Sequence, residues 1–353
     1  MTALGVVDYL RAALPGLPQV PTAMMLVAIC MGVAILNVRL NAWITGAFLA
    51  VELASLAALA WLGFAHVRPG AAAAVLHPVM LDAAGRLGSV PLAALGVGAA
   101  GAIYAFDGYG SAVYLGEEFH DAPRRMARVV FLAFGAAALF MTVPLLAVLL
   151  GAPDLKALIA APSPTPDFIA SAGGPGLAKV MSLGIALALF NAMIAIALMG
   201  GRHLYASGRD RAWPSGISTA LSRLHGRFGS PWVATLALGL TGVLWCALKP
   251  SVLLMLLGDG TAAIYGCMCL AALKARGGVA ARAPYRMPLF PWMPVLALAG
   301  LAGVGLADLF DADGRKGLLA SAVVIALSAV CGRLARRPGG AWRHRGPGAE
   351  PAA

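Results

Sequence analysis

The chain has 353 residues, of which 60% are hydrophobic and only 12% charged, and its mean hydropathy is +0.84. A soluble core and its solvated surface cannot share that composition, so a soluble enzyme or binding domain is excluded and an all-α, polytopic membrane helix bundle is expected. The net charge of +11 would point to nucleic acid in a soluble domain, but here the basic residues fall between apolar runs and set topology; the expected surroundings are a lipid bilayer, with no nucleic acid.

In chain order, residues 1–21, MTALGVVDYLRAALPGLPQVP, hold no basic region ahead of an apolar stretch and no small-residue cleavage site. No secretory signal is read there, and the segment is taken as an extramembrane loop. A transmembrane domain of about nine helices is expected over 22–333, then a basic, disordered cytoplasmic tail over 334–353. The first span runs from Thr22 to Val38 and the second from Ala42 to Phe64. Glu52 lies near the centre of the second, where an ionisable group costs at least about 2.5 kcal/mol unless it faces a partner or water. It is a candidate for gating or coupling, or a protonated residue that only packs. A loop rich in alanine and proline follows from His66 to Val90.

The third span is the one around which the rest is organised. Its first half, to Phe106, and its second, Ser111 to Phe119, are apolar enough for several helical turns. Between them stands Asp107-Gly108-Tyr109-Gly110. Glycine adds about 1 kcal/mol of helix cost relative to alanine, so a discontinuous helix is expected near residues 93–119. Backbone groups freed at bilayer depth are tolerated only where they face a cavity or ligand, which makes the break a functional pointer. The simpler alternative is that Gly96, Gly98 and Gly101 let another helix approach. The same glycines spell G-x-G-x-x-G, but a dinucleotide site needs a preceding strand in a βαβ unit, and that reading is set aside.

The fourth span is Val129–Gly151, with Pro144 as a kink, and a proline-rich loop leads to the fifth, Val180–Met199, where Asn191 is the one strongly polar side chain. A basic segment then precedes spans at Trp232–Leu248, Ser251–Leu273, Trp292–Leu306 and Gly317–Cys331. Alternating the loops from Arg39 places 18 of the 26 basic residues on one side and 8 on the other. The richer side, with the C-terminus, should be cytoplasmic, which leaves the N-terminus outside. Cys30, Cys246, Cys267, Cys269 and Cys331 sit in or beside apolar runs without metal or disulfide spacing. They are read as small packing residues, with no metal site and no cofactor.

Three motifs carry a resemblance. FDGYGSAVYLGEEFHDAPRRMARVV, beginning at Phe106, resembles the sixth span and following loop of amino acid permeases of the amino acid-polyamine-organocation superfamily. RHLYASGRDRAWP with LHGRFGSPWVATL is similar to the loop after that family's eighth span, and YRMPLFPWMPVL to the start of its eleventh. Their order and spacing cover the chain from Thr22 to Cys331. Two departures stand out: one extra residue between Glu118 and Pro123, and Arg211-Ala212-Trp213-Pro214 in place of a small, glycine-containing turn. The resemblance implies a partial LeuT-like fold of two inverted five-span repeats, without the family's three leading spans.

It further implies secondary active transport of amino acids or related amines, such as polyamine-like substrates, across the cytoplasmic (inner) membrane. The substrate-binding candidates are Phe106, Asp107, Gly108, Tyr109, Gly110 and Asn191. Phe106 or Tyr109 would close over the substrate; Asp107 would bind its ammonium group or cap the second half-helix. Glu117 and Glu118, beside basic residues at the inner end, join Glu52 as gating or coupling candidates. Proton, sodium and exchange coupling stay open, as does the oligomeric state. With only one broken span, the chain is expected not to transport by itself, and the alternative is a non-transporting membrane fragment or helix-packing partner. A membrane enzyme is disfavoured, because no nucleophile-base pair or metal cluster is visible in any span.

Overall fold

The computed structural model describes residues 1–36, 38–82, 84–118, 121–161, 163–276, 285–310 and 312–335. They form thirteen α-helices: α1 (Thr2–Ala13), α2 (Gln19–Ile35), α3 (Val38–Ala65), α4 (Ala72–Leu76), α5 (Leu92–Ala105), α6 (Ala122–Gly151), α7 (Leu155–Ala160), α8 (Pro164–Arg209), α9 (Ser215–Leu221), α10 (Trp232–Trp245), α11 (Pro250–Ala275), α12 (Trp292–Asp308) and α13 (Ala312–Ala335). A 3-10 helix, Tyr109–Glu118, follows α5. Among the described residues, five stretches are long and apolar enough to cross a membrane: Trp43–Ala65, Arg124–Gly151, Pro164–Arg209, Val252–Ala275 and Gly314–Arg333. The shorter α2, α10 and α12 are also apolar. The protein is an all-α polytopic membrane helix bundle.

Three stretches expected as loops are ordered. Residues 2–13 are helical, because Ala3, Leu4 and Val7 recur at helical spacing and are buried with Val6 where α1 packs on α2. The proline-rich segment before the fifth span forms α7 and the beginning of α8, with Pro164 as the first residue of α8, where a missing N–H costs nothing. Gly174, at φ 84° and ψ 165°, interrupts α8 just before Pro175. Between α4 and α5 a small antiparallel hairpin pairs β1 (Val79–Leu81) with β2 (Leu87–Ser89). Asp82 closes it by accepting from the backbone N–H of Arg86 and Ala84, and the Arg86 N–H bond holds its carboxyl below the usual range. The tail expected over 334–353 lies, beyond Ala335, outside the described residues.

The two departures from the family pattern are absorbed by left-handed backbone. Asp121, in the stretch with the extra residue, has φ 56°, and Arg211, in the turn that lacks its glycine, has φ 57°. Aspartate tolerates that region through local hydrogen bonding, whereas arginine pays for it sterically.

The described chain divides into two compact units. The first comprises Met1–Leu92, Gly135–Ala197 and Thr241–Leu248, the second Ala93–Phe134, Leu198–Leu240 and Lys249–Ala353. In the first, α3 meets α6 backbone to backbone: a Cβ on Gly63 would overlap the carbonyl of Ala147, and one on Gly151 the carbonyl of Gly63. About two turns earlier on α3, α8 closes on it, where a Cβ on Gly184 would lie 2.6 Å from Ser55 Oγ. Lipid tails are as apolar as leucine, so close van der Waals approach is what holds such helices together. Leu59, Leu62, Val148, Phe168, Ile169, Ala178 and Met181 fill the space around this crossing.

In the second unit α8 and α10 approach at Gly201, where a Cβ would stand 2.5 Å from Thr235 Oγ1. Beyond α8 the basic segment is folded: Trp213 Nε1 donates to Ser207 Oγ at 2.9 Å and Ser218 Oγ to the Trp213 carbonyl at 2.8 Å. The helices α11, α12 and α13 pack on one another.

Two substitutions test this packing. Gly63→Leu is expected to destabilise the detergent-solubilised protein by about 1–3 kcal/mol or more, since backbone stands where the side chain must go. Gly46→Leu on the same helix, where a Cβ meets nothing within 4 Å, is expected to stay within about 0.5 kcal/mol. Thermal unfolding of the two variants side by side measures the difference. Arg211→Gly should raise stability by up to about 1 kcal/mol in the same assay, by relieving the left-handed arginine.

Candidate functional site

The interrupted helix lies in the second unit. The Phe106 N–H donates to the Ala102 carbonyl at 2.9 Å, four residues back, but the Asp107 N–H donates to Tyr104 at 3.1 Å, three residues back. Gly108 then takes φ 118°, which no residue with a side chain adopts without strain, and the Ser111 N–H returns to the Gly108 carbonyl at 3.0 Å. The α-helix therefore ends at Ala105 and the chain resumes as a 3-10 helix from Tyr109, rather than as the second α-helical half expected from sequence. Its hydrogen bonds run three residues back, a tighter winding used in short pieces and at helix ends.

Two observations give the break a shape. The Tyr265 hydroxyl, from α11, donates to Asp107 Oδ1 at 2.6 Å. The Tyr109 ring meets Phe134 of α6 edge to face, with centroids 5.2 Å apart and planes at 74°, and stands 6.3 Å from the Tyr265 ring. Such aromatic pairs contribute about 0.5–1.5 kcal/mol beyond their buried area. A Cβ on Gly108 or Gly110 would meet nothing within 4 Å, so the space beside the break is open. Phe106 is half-buried, while Asp107 is exposed apart from its bond to Tyr265.

The other residues singled out from sequence are distributed differently. Asn191 is buried on α8 in the first unit, where its Nδ2 donates to the Thr45 carbonyl of α3 at 3.3 Å and its Oδ1 has no partner among the described residues. Glu52 is half-buried on α3, in the same unit. Glu117 and Glu118 end the 3-10 helix. A cavity of about 340 Å³ in the first unit lies between α7 and α8, beside Asp154, Asp167, Phe168 and Ser171. Its Asp154 carboxylate is already used as the cap of α7, accepting from the N–H groups of Lys156 and Ala157.

Tyr265 is the residue that sequence reasoning missed. It is 158 residues from Asp107, and the available signal was a hydroxyl within an apolar span, together with Asp259 on the same helix.

A family model described as amino acid permease matches residues 8–331. An uncharacterized transporter of Mycobacterium bovis is 30% identical over 213 residues, which cover 58% of this chain and 43% of that protein. A Mycobacterium tuberculosis transporter, also uncharacterized, matches to the same extent. L-asparagine permease 2 of Mycobacterium bovis is 27% identical over 170 residues, 46% of this chain and 34% of that protein. The chain thus spans less than half the length of these curated relatives.

The bond between Tyr265 and Asp107 is testable without any transport assay. Tyr265→Phe deletes one oxygen and is expected to cost about 1.5–3 kcal/mol at most, the range for a hydrogen bond to a charged group, less for an exposed acceptor. Hydrogen exchange followed by mass spectrometry should show faster exchange across residues 104–111 in the variant, with α13 unchanged. Equal exchange at the break in both proteins would remove Tyr265 from the site.

Proposed function

This chain belongs to the amino acid permease family, and from that membership we propose that it moves amino acids or related amines across a membrane, with substrate met at the Asp107–Gly110 break. The observation that carries the reading is the interrupted helix whose acid is held by Tyr265. A zwitterion needs a negative and a positive partner close together. The end of α5 presents carbonyls, the partial negative end of its dipole, and the turn beginning at Tyr109 presents N–H groups.

Magnitudes assign the roles. A helix end contributes about 0.3–1 kcal/mol at an exposed site and up to about 2 kcal/mol when partly buried. Desolvating each substrate charge costs several kcal/mol. Helix ends alone fall short, so the Asp107 carboxylate takes the ammonium group: Tyr265 fixes Oδ1 and leaves Oδ2 to the substrate. Phe106 and Tyr109 close over the substrate, and Tyr109 rests against Phe134 when closed. Asn191 holds α8 to α3 through the Thr45 carbonyl. Glu52, Glu117 and Glu118 are the gating candidates. The chain is oriented with the loops around Arg124, Arg209 and Arg282 and the C-terminus in the cytoplasm, because the larger share of its basic residues lies on that side.

Uptake of a labelled amino acid mixture into vesicles holding only this chain tests the proposal. In contrast to the expectation from sequence that one broken span does not transport by itself, saturable uptake is expected, reduced roughly 10- to 100-fold by Asp107→Asn, as loss of one charge-assisted hydrogen bond implies. Gly108→Leu should abolish it, because leucine is strained at φ 118°. A correctly folded chain with no uptake of any amino acid or amine would instead mark a non-transporting membrane partner. Orientation is read by single-cysteine labelling in intact cells, where reaction of the Arg282 loop with an impermeant reagent would reverse it.

A further inference from the structure

One corner of the second unit carries cations that no described residue pairs. The membrane-long stretch of α6 begins at Arg124. Arg124, Arg128 and Phe131 follow one another at helical spacing, so they lie along one face of that helix. The Phe131 ring meets the ring of Tyr285, in the segment that enters α12, with centroids 6.4 Å apart. That contact sets Arg286, next to Tyr285 in the chain, beside the same end of α6. At the end of α11 the Arg276 guanidinium stands 4.7 Å from the centroid of the Phe290 ring, which holds another cation where the chain enters α12.

The side chains of Arg124, Arg128 and Arg286 are exposed and have no hydrogen bond or ion pair among the described residues. No acid occurs from Arg124 to Gly151 or from Arg276 to Trp292. Glu117, Glu118 and Asp121 precede α6 in sequence, and the Asp121 carbonyl accepts from the N–H groups of Arg124 and Arg125 at 3.1 and 3.2 Å. The basic segment after α8 differs, because its cations are partly engaged: Arg209 Nε reaches Asp210 Oδ1 at 3.5 Å, and Arg227 stands over the Phe228 ring.

Beside these cations the surface is aromatic: Phe131 is 61% exposed, Tyr285 41% and Trp292 67%. In a membrane protein such rings sit at headgroup level. Arg128 stands about 4.5 Å nearer the membrane edge than Phe131, by the helical rise, and the headgroup layer is about 5–7 Å thick on each side of the hydrocarbon. A phospholipid spans that step, with its phosphate at the cations and its glycerol esters at the rings. A water-soluble anion would leave the rings uncovered. Guanidinium groups suit the phosphate because their planar fork donates two parallel bonds.

We propose that this corner binds one anionic phospholipid, its phosphate held between Arg128 and Arg286 and its glycerol-ester region resting on Phe131 and Tyr285. Arg124 and Arg276 add positive charge around the phosphate. A zwitterionic lipid brings its own cation to the phosphate and gains less from the same arginines. The site does not depend on the transport reading.

Native mass spectrometry of the purified full chain in detergent, titrated with phosphatidylglycerol, phosphatidylcholine or inorganic phosphate, tests the site. One saturable phosphatidylglycerol is expected, bound roughly 10-fold or more tightly than phosphatidylcholine and not displaced by millimolar inorganic phosphate. Arg128→Gln with Arg286→Gln should weaken it roughly 25-fold, about 5-fold for each cation. Arg223→Gln with Arg227→Gln removes the same charge elsewhere in the unit and should leave affinity within about twofold. Phe131→Ala should weaken both lipids alike, because the ring carries the part they share. Equal affinity for the two lipids, equal loss in the two double variants, or an unaltered affinity in Phe131→Ala would overturn the proposal. Displacement by inorganic phosphate would overturn it too, by showing a site for free anions. The arginines are exposed, so their variants should fold; if the Arg128 and Arg286 double variant does not, the two single variants decide, each by its about 5-fold loss.

Discussion

In hydrocarbon there is no water to satisfy a backbone N–H or C=O, and each group left unpaired costs several kcal/mol. That constraint makes almost every apolar stretch of this chain helical. It also gives the interruption after α5 its meaning. Where α5 stops at Ala105 and Gly108 turns at φ 118°, hydrogen bonding changes from four residues back to three. The polar groups released by that change must be met by something other than lipid. One such partner is the Tyr265 hydroxyl, which donates to Asp107, and the space beside Gly108 and Gly110 is open.

The same constraint governs how the helices hold together. With no hydrophobic gain in moving a leucine from lipid to protein, stability comes from close contact. The contact of α3 with α6 at Gly63, Ala147 and Gly151 is backbone on backbone, and α8 adds Gly184 against Ser55. Asn191 joins the same layer through the Thr45 carbonyl. Its conspicuous position in the fifth span is explained at least half by packing, since one end of its amide ties two helices together.

The acids of the second unit differ under the same constraint. Asp107 stays beside open space and accepts from a neutral donor, the Tyr265 hydroxyl. Asp259 is 6% exposed within an apolar span, and its Oδ2 has no hydrogen-bond partner among the described residues. The surroundings of these two aspartates, not their residue type, distinguish them.

The sequence by itself determined the class, the approximate apolar spans and the site of the break, because hydropathy, helix propensity and glycine's φ freedom are local properties readable from neighbouring residues. It also carried the family, through motifs whose order survives along the chain. Proline was the misleading signal: Pro164 and Pro175 suggested a loop, yet Pro164 begins α8 and Pro175 follows its break at Gly174. Only the tertiary structure decided which glycines are contacts and which are free, since Gly63 and Gly46 look alike on α3 until α6 is placed beside one of them. It alone joined Asp107 to Tyr265 across 158 residues and Asn191 to Thr45 across 146. The physical reason is common to all of these: a side chain's charge state and hydrogen-bond partner depend on what is near it in space, and only the fold brings distant residues together.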